Sequence, residues 1–238
     1  MNFGSFMRNR GVATLLPIAI AATTNACSGP SHDHETTSQT STAVTSAIDY
    51  PRVSSKWDSA IALAGDEREA AEFAAETQAL DVDVVMSNIF DADAMLELNR
   101  RVAPGYGSSK ATWDGVRGLW PTTGGTLSRV IRVEREDAGF EVTLCKFDSP
   151  GLYNIKNGVP THDDADLRVI SAEVFTVKNT MQPSAADKDV SSKPRLLVVS
   201  IVNAGKDNEP PGVLCDKFAP EPFIQTPPPP LPSNTGHK

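Results

Sequence analysis

The sequence predicts an α+β fold, with N-terminal helices packed on a curved antiparallel sheet of about four strands. Three observations carry this. Apolar residues recur at helical spacing only between about residues 54 and 120. From Leu127 onward the period becomes two. The two kinds of pattern do not alternate along the chain, as a parallel nucleotide-binding sheet would require.

The chain opens on a different signal. Arg8 and Arg10 precede the apolar run Val12 to Ala22, then the small polar stretch Thr23-Thr24-Asn25-Ala26, then Cys27. This is secretory-signal anatomy, and the run is shorter than the roughly 20 residues of a spanning helix. Met1 or Met7 can serve as the start. The stretch resembles a bacterial lipoprotein signal, whose pattern ends in Gly or Ala followed by Cys. That resemblance implies a signal peptide over residues 1–26 and fatty acid (palmitate) on Cys27. Thr24 stands where the pattern has Leu, and Asn25 is larger than usual. The alternative is an ordinary signal cut near Ala26, leaving Cys27 as an exposed thiol.

Residues 27–49 are rich in Ser and Thr and read as a tether. His32-Asp33-His34-Glu35 lie within it. Four consecutive donors on such a tether do not close around one ion, so no metal site is expected.

A single α+β domain is expected over residues 50–219. Ser54 or Ser55 caps a short helix over Lys56 to Ala64, stopped by Gly65. Asp66 caps the next, with Glu69 completing a capping box. Phe73, Thr77, Leu80 and Val84 form its apolar stripe beside Ala70 and Ala74. Asp91 starts a helix lined by Met95, Leu98 and Val102 and ended by Pro104-Gly105. Ser108 to Trp120 holds a last short helix. Gly124-Gly125 reads as a loop breaker, since a phosphate loop needs a strand before it and a Lys after it.

Leu127 to Glu136 is the first strand, and Asp137-Ala138-Gly139 turns the chain. Phe140, Val142 and Leu144 then share one face, with Glu141, Thr143 and Cys145 on the other. Asp148-Ser149-Pro150-Gly151 reads as a turn, and Asn157-Gly158 as a hairpin turn. Leu167 to Lys178 and Arg195 to Val202 are two further strands, separated by a polar loop over Met181 to Pro194. Residues 220–238 form a Pro-rich, disordered, solvated tail.

The formal net charge of −8 opposes phosphate backbones and anionic lipid headgroups, so no nucleic-acid partner is expected. Three cysteines are present. With Cys27 lipidated, Cys145 and Cys215 remain, and in an exported protein an even pair suggests one disulfide. The alternative is two buried free thiols.

The stretch Asp66 to Cys215 resembles the nuclear-transport-factor-2-like (cystatin-like, cone-shaped) domain of exported actinobacterial lipoproteins. The carrying residues are the helical front, Glu141-Val142-Thr143-Leu144-Cys145, then Phe147-Asp148-Ser149-Pro150-Gly151, the Asn157-Gly158 turn and the late Cys215. The chain departs from that pattern at Met181 to Pro194 and in lacking tryptophan on its final strand. The resemblance implies a Cys145–Cys215 bond. It also implies a cavity between helices and sheet for a small apolar ligand. Candidate walls are Phe73, Val84, Leu98, Trp113, Phe140 and Val142, and for each a place in a filled core is the competing reading.

Catalysis is not expected, nor any cofactor. His162 is the domain's histidine and reads as a solvated loop residue. Asp163, Asp164 and Asp166 read as a solvated charge run, since a calcium loop needs alternating ligands and a later Glu. Trp57, Trp113 and Trp120 read as core or pocket wall. The expected function is a non-catalytic binding or interaction module on the extracytoplasmic face of the membrane. Its partners would be the membrane through Cys27 and a small ligand or envelope protein. The alternatives are a cone-fold enzyme of the isomerase or dehydratase kind and a scaffold for an envelope assembly.

Overall fold

In the computed structural model, the structure describes residues 49–87, 89–116, 121–163, 166–205 and 209–232. The signal segment, Cys27, the tether to residue 48, Leu119, Trp120 and Asp164 lie outside these residues. The described residues fall within one unit, Thr45–Lys238.

The fold is α+β. In chain order the elements are β1 (Lys56–Ser59), α1 (Gly65–Val85), α2 (Ala92–Arg101), α3 (Lys110–Val116), β2 (Thr122–Glu136), β3 (Gly139–Lys156), β4 (Val159–Thr161), β5 (Val169–Thr180), β6 (Arg195–Asn203), and α4 (Pro211–Cys215), which runs into a 3₁₀ turn, Asp216–Phe218. The sheet has six strands in the order β1-β2-β3-β5-β6, with β4 paired to the far end of β3. It is mixed and open, because β1 runs parallel to β2 while the other pairs are antiparallel. The expectation of about four antiparallel strands is thereby corrected.

The expected helix over Lys56 to Ala64 is a strand. Lys56 to Ser59 ladder against Leu127 to Val130. Asp58 accepts a two-pronged hydrogen bond from Arg129, both contacts at 2.6 Å. Cross-strand pairing and that fork outweigh the weak helical period of so short a segment.

Asp66 does not cap α1. The N-cap is Ala64, without a side-chain bond, and Asp66 with Glu67 lies in the first turn. There their charges still complement the helix dipole. Ala70, Ala71, Ala74 and Ala75 are buried and pack against Val130, Val142, Leu144, Phe175 and Val177 of the sheet. Small side chains let the helix backbone sit close to the strands. Asp91 caps α2 as expected, accepting from the backbone N–H of Asp93 and Ala94.

Two expected breaks are strand. Gly124 and Gly125 lie in β2 opposite Leu152 and Gly151. A Cβ on Gly124 would run into the Gly151 carbonyl, and one on Gly125 into the Ser54 carbonyl. Glycine is required here by the close approach of three backbones. Asp148 to Gly151 is likewise part of β3 and not a turn, because Gly151 keeps its pairing with Gly125. At Asn157 and Gly158 both φ angles are positive, and the expected hairpin turn forms.

The second face of the sheet is covered by the C-terminal segment. Ile131, Cys145, Phe147, Val169 and Ala172 bury against Cys215, with Leu214, Phe218 and Phe223 alongside. Cys145 and Cys215 are disulfide-bonded, with Cα atoms 5.7 Å apart. The Pro-rich end does not float free over its described part. Thr226 N–H donates to the Pro150 carbonyl at 3.0 Å and Leu231 N–H to the Asp49 carbonyl at 2.8 Å. Phe223 packs under Arg168. Apolar burial and these bonds offset the ordering cost that a bare polyproline segment would leave uncompensated.

Candidate functional site

A cavity of about 150 Å³ opens between α1 and the sheet. Its apolar walls are Leu98, Val102, Phe175 and Ile201, and its polar groups are Gln78, Asp81, Lys146 and Glu173, with the half-exposed Tyr106 beside them. Three elements place the polar groups. Gln78 and Asp81 are one helical turn apart on the buried side of α1. Lys146 stands two residues beyond Leu144 on β3, and Glu173 pairs with Leu144 from β5. Glu173 therefore shares the helix-facing side with Phe175 and Val177, where the strand is otherwise apolar.

Gln78 is 3% exposed. Its Nε2 donates to Glu173 Oε2 at 2.7 Å. Its Oε1 is buried without a partner. Turning the amide over would set Oε1 against the carboxylate oxygen, so the bond to Glu173 fixes which end of the amide is the unpartnered one. Burial holds the Asp81 carboxyl above its ordinary value; the Lys146 charge opposes this and the Glu173 charge adds to it. A buried unpaired acceptor and a carboxyl perturbed by desolvation thus adjoin a cavity of mixed polar and apolar lining.

A larger opening lies at the other end of α1, around Asp66, Glu69, Arg135 and Asn179. Its Arg135–Asp66 pair, at 3.6 Å, has side chains 62% and 75% exposed. None of its lining residues is among the buried unpartnered groups of the described residues. It is a solvated surface groove.

Of the residues expected to wall a cavity, Leu98 lines this one. Phe73, Phe140 and Val142 belong to the main core under α1. Val84 and Trp113 pack with Met95 and Leu98 in a second cluster between the helices. Trp113 Nε1 donates to the Ser87 carbonyl at 3.0 Å. Trp57 packs half-buried against the main core. The polar groups of the cavity were not singled out from sequence. The available signals were a Gln and an Asp on the core side of a helix whose neighbours there are Ala and Val, and a Glu on the inward side of β5.

His162 is not a solvated loop residue. Its Nε2 lies 2.5 Å from Asp148 Oδ2, and the two side chains are 12% and 5% exposed. Its ring stands edge-on to Tyr153, and its Nδ1 is buried without a partner. The β3–β4 hairpin returns the chain beside Tyr153, which brings His162 to a carboxylate fourteen residues earlier in sequence. Asp148 also accepts from Leu152 N–H at 3.0 Å and Gln225 Nε2 at 3.0 Å. Burial, with the Asp148 charge, raises the Tyr153 hydroxyl above its ordinary value. The neighbouring Asp163 is exposed; its bonds to Lys156 and Asn154 hold it below the usual carboxylate range. Asp166 is exposed too.

No group of His, Cys, Asp and Glu suited to a metal occurs among the described residues. Among them no helix is long and apolar enough to cross a membrane. Compared with known proteins, the chain matches no family model, no curated sequence and no solved structure.

Proposed function

We propose that this chain is an exported lipoprotein whose α+β domain is a non-catalytic binding module for a small ligand. In this reading the precursor is cut before Cys27, and lipid on that cysteine holds the domain at the extracytoplasmic face of the membrane. The domain is then of the cone-shaped, nuclear-transport-factor-2-like kind, with the ligand seated between α1 and the sheet. The Cys145–Cys215 bond supports an oxidising compartment.

The observation that carries the binding reading is Gln78 Oε1, an oriented acceptor buried with no partner beside a cavity. Leaving such a group unmet costs about 1–3 kcal/mol, and a ligand donor recovers it. Asp148 accepts from Leu152 and Gln225 as well as meeting His162, which favours a structural role for the pair over an acid–base one.

Native mass spectrometry on protein released gently from its own host tests the binding reading. A retained small molecule supports it, and a strictly empty protein overturns it. Labelled palmitate tests the anchor: it should enter the wild type and not Cys27→Ala. Equal labelling of the two would overturn the anchor alone.

A further inference from the structure

We propose that the ligand of the α1–sheet cavity is a small organic cation, an alkyl- or arylammonium ion. Its ammonium would lie between Gln78 Oε1, Asp81 and Glu173, and its apolar body against Leu98, Val102, Phe175 and Ile201. This rests on the reading that the cavity is a binding site, and adds the chemistry of what enters it.

The unmet polar atom of the cavity is an acceptor, so the missing partner is a donor. Gln78 donates an amide hydrogen to Glu173, and its Oε1 is left as an acceptor without a partner. Glu173 Oε2 is engaged in that bond, while its other oxygen and both oxygens of Asp81 remain as acceptors in the same space.

The charges agree. Two carboxylates, Asp81 and Glu173, face one ammonium, Lys146. With all three ionised the cavity holds one surplus negative charge, in a place where burial already works against the Asp81 anion. A monocation neutralises that surplus; an anion would add to it. Among the described residues no hydrogen bond or ion pair joins Lys146 to either carboxylate, and its charge acts on Asp81 through space.

Size narrows the class. A cavity of about 150 Å³ is well below the usual range of roughly 300–1,000 Å³ for drug-sized ligands. It admits one short chain or one ring with a head group. Four apolar walls then select against a fully hydrated inorganic ion, which would keep its water shell.

Calorimetric titration of the exported, disulfide-bonded protein with benzylammonium, benzyl alcohol and benzoate isolates the charge, because the ring is common to all three. Benzylammonium is expected to bind at one site and benzoate not at all. Glu173→Gln and Gln78→Met should each weaken benzylammonium by about ten-fold or more. Glu69→Gln, at the far end of α1, should leave it unchanged. Thermal unfolding of each variant confirms that it is folded; two independent variants keep the test open if one is not. Equal binding of the alcohol, preference for benzoate, binding of none of the three, or indifference to Glu173→Gln would overturn the proposal. A neutral or acidic molecule retained by host-derived protein would overturn it too, while leaving the binding module standing.

Discussion

Asp148 and His162 form a buried pair at 2.5 Å that closes the β3–β4 hairpin onto the body of β3. The same carboxylate oxygen takes Gln225 from the C-terminal segment, and its mate takes the Leu152 N–H. One aspartate thus ties its own strand to the hairpin that follows and to a C-terminal segment 77 residues away in sequence.

Asp148→Ala removes all three contacts and leaves the His162 ring buried beside the gap. A loss of about 2–4 kcal/mol in urea unfolding is expected, since breaking a buried charged network costs that much. Limited proteolysis should then cut within residues 219–232 faster than in the wild type. A variant with an unchanged midpoint and unchanged cleavage would show that the pair holds nothing.

The Cys145–Cys215 bond spans 70 residues of sequence. Cross-linking a loop of that length stabilises by about 4 kcal/mol in the chain-entropy treatment. Cys145→Ala with Cys215→Ala should lower the urea midpoint accordingly, and non-reduced peptide mapping of the wild type should recover the joined peptide. Two freely alkylated thiols in exported protein would contradict this.

Asp81 has its native pKa raised by burial, with Glu173 adding and Lys146 subtracting. The native state therefore holds this proton more tightly than the unfolded chain does. The group's contribution is full below the ordinary aspartate range and is lost as pH rises through the raised native value. Asp81→Asn should accordingly stabilise the free protein near neutral pH, by on the order of 0.5–1 kcal/mol, and flatten its stability profile in mild acid. Asp83, raised chiefly by burial as well, leaves a residual slope of the same sign. Thermal unfolding across pH 4 to pH 8 reads this, and an unchanged slope would refute it.

Gly125→Ala places a methyl against the Ser54 carbonyl in the run that leads into β1. Backbone must move, and overpacking of this kind costs about 1–3 kcal/mol. Hydrogen exchange should show faster opening of the β1 amides, since their ladder to β2 begins just beyond. Protection equal to the wild type would mean the approach is looser than described.

Much of this architecture is legible in the sequence. The alternation of Phe140, Val142 and Leu144 placed them on one face, and Asp91 marked a helix start that forms as read. Local patterns succeed where the periodic run is long. β1 escaped because four residues carry too little period to separate strand from helix, and its pairing is with a strand some seventy positions later. The second layer, over Phe147 and Cys145, escaped because α4 and the Pro-rich run have no period at all; their burial comes from partners across the sheet. The cavity groups were hidden for a related reason. Glu173 and Asp81 each break an apolar face in their own element, and the break gains meaning only when α1 is laid on β5.

The hydrogen bond from Leu231 to Asp49 has a consequence for how the domain is carried. It sets residues 49 and 231 side by side, so the two ends of the described fold meet at one place on its surface.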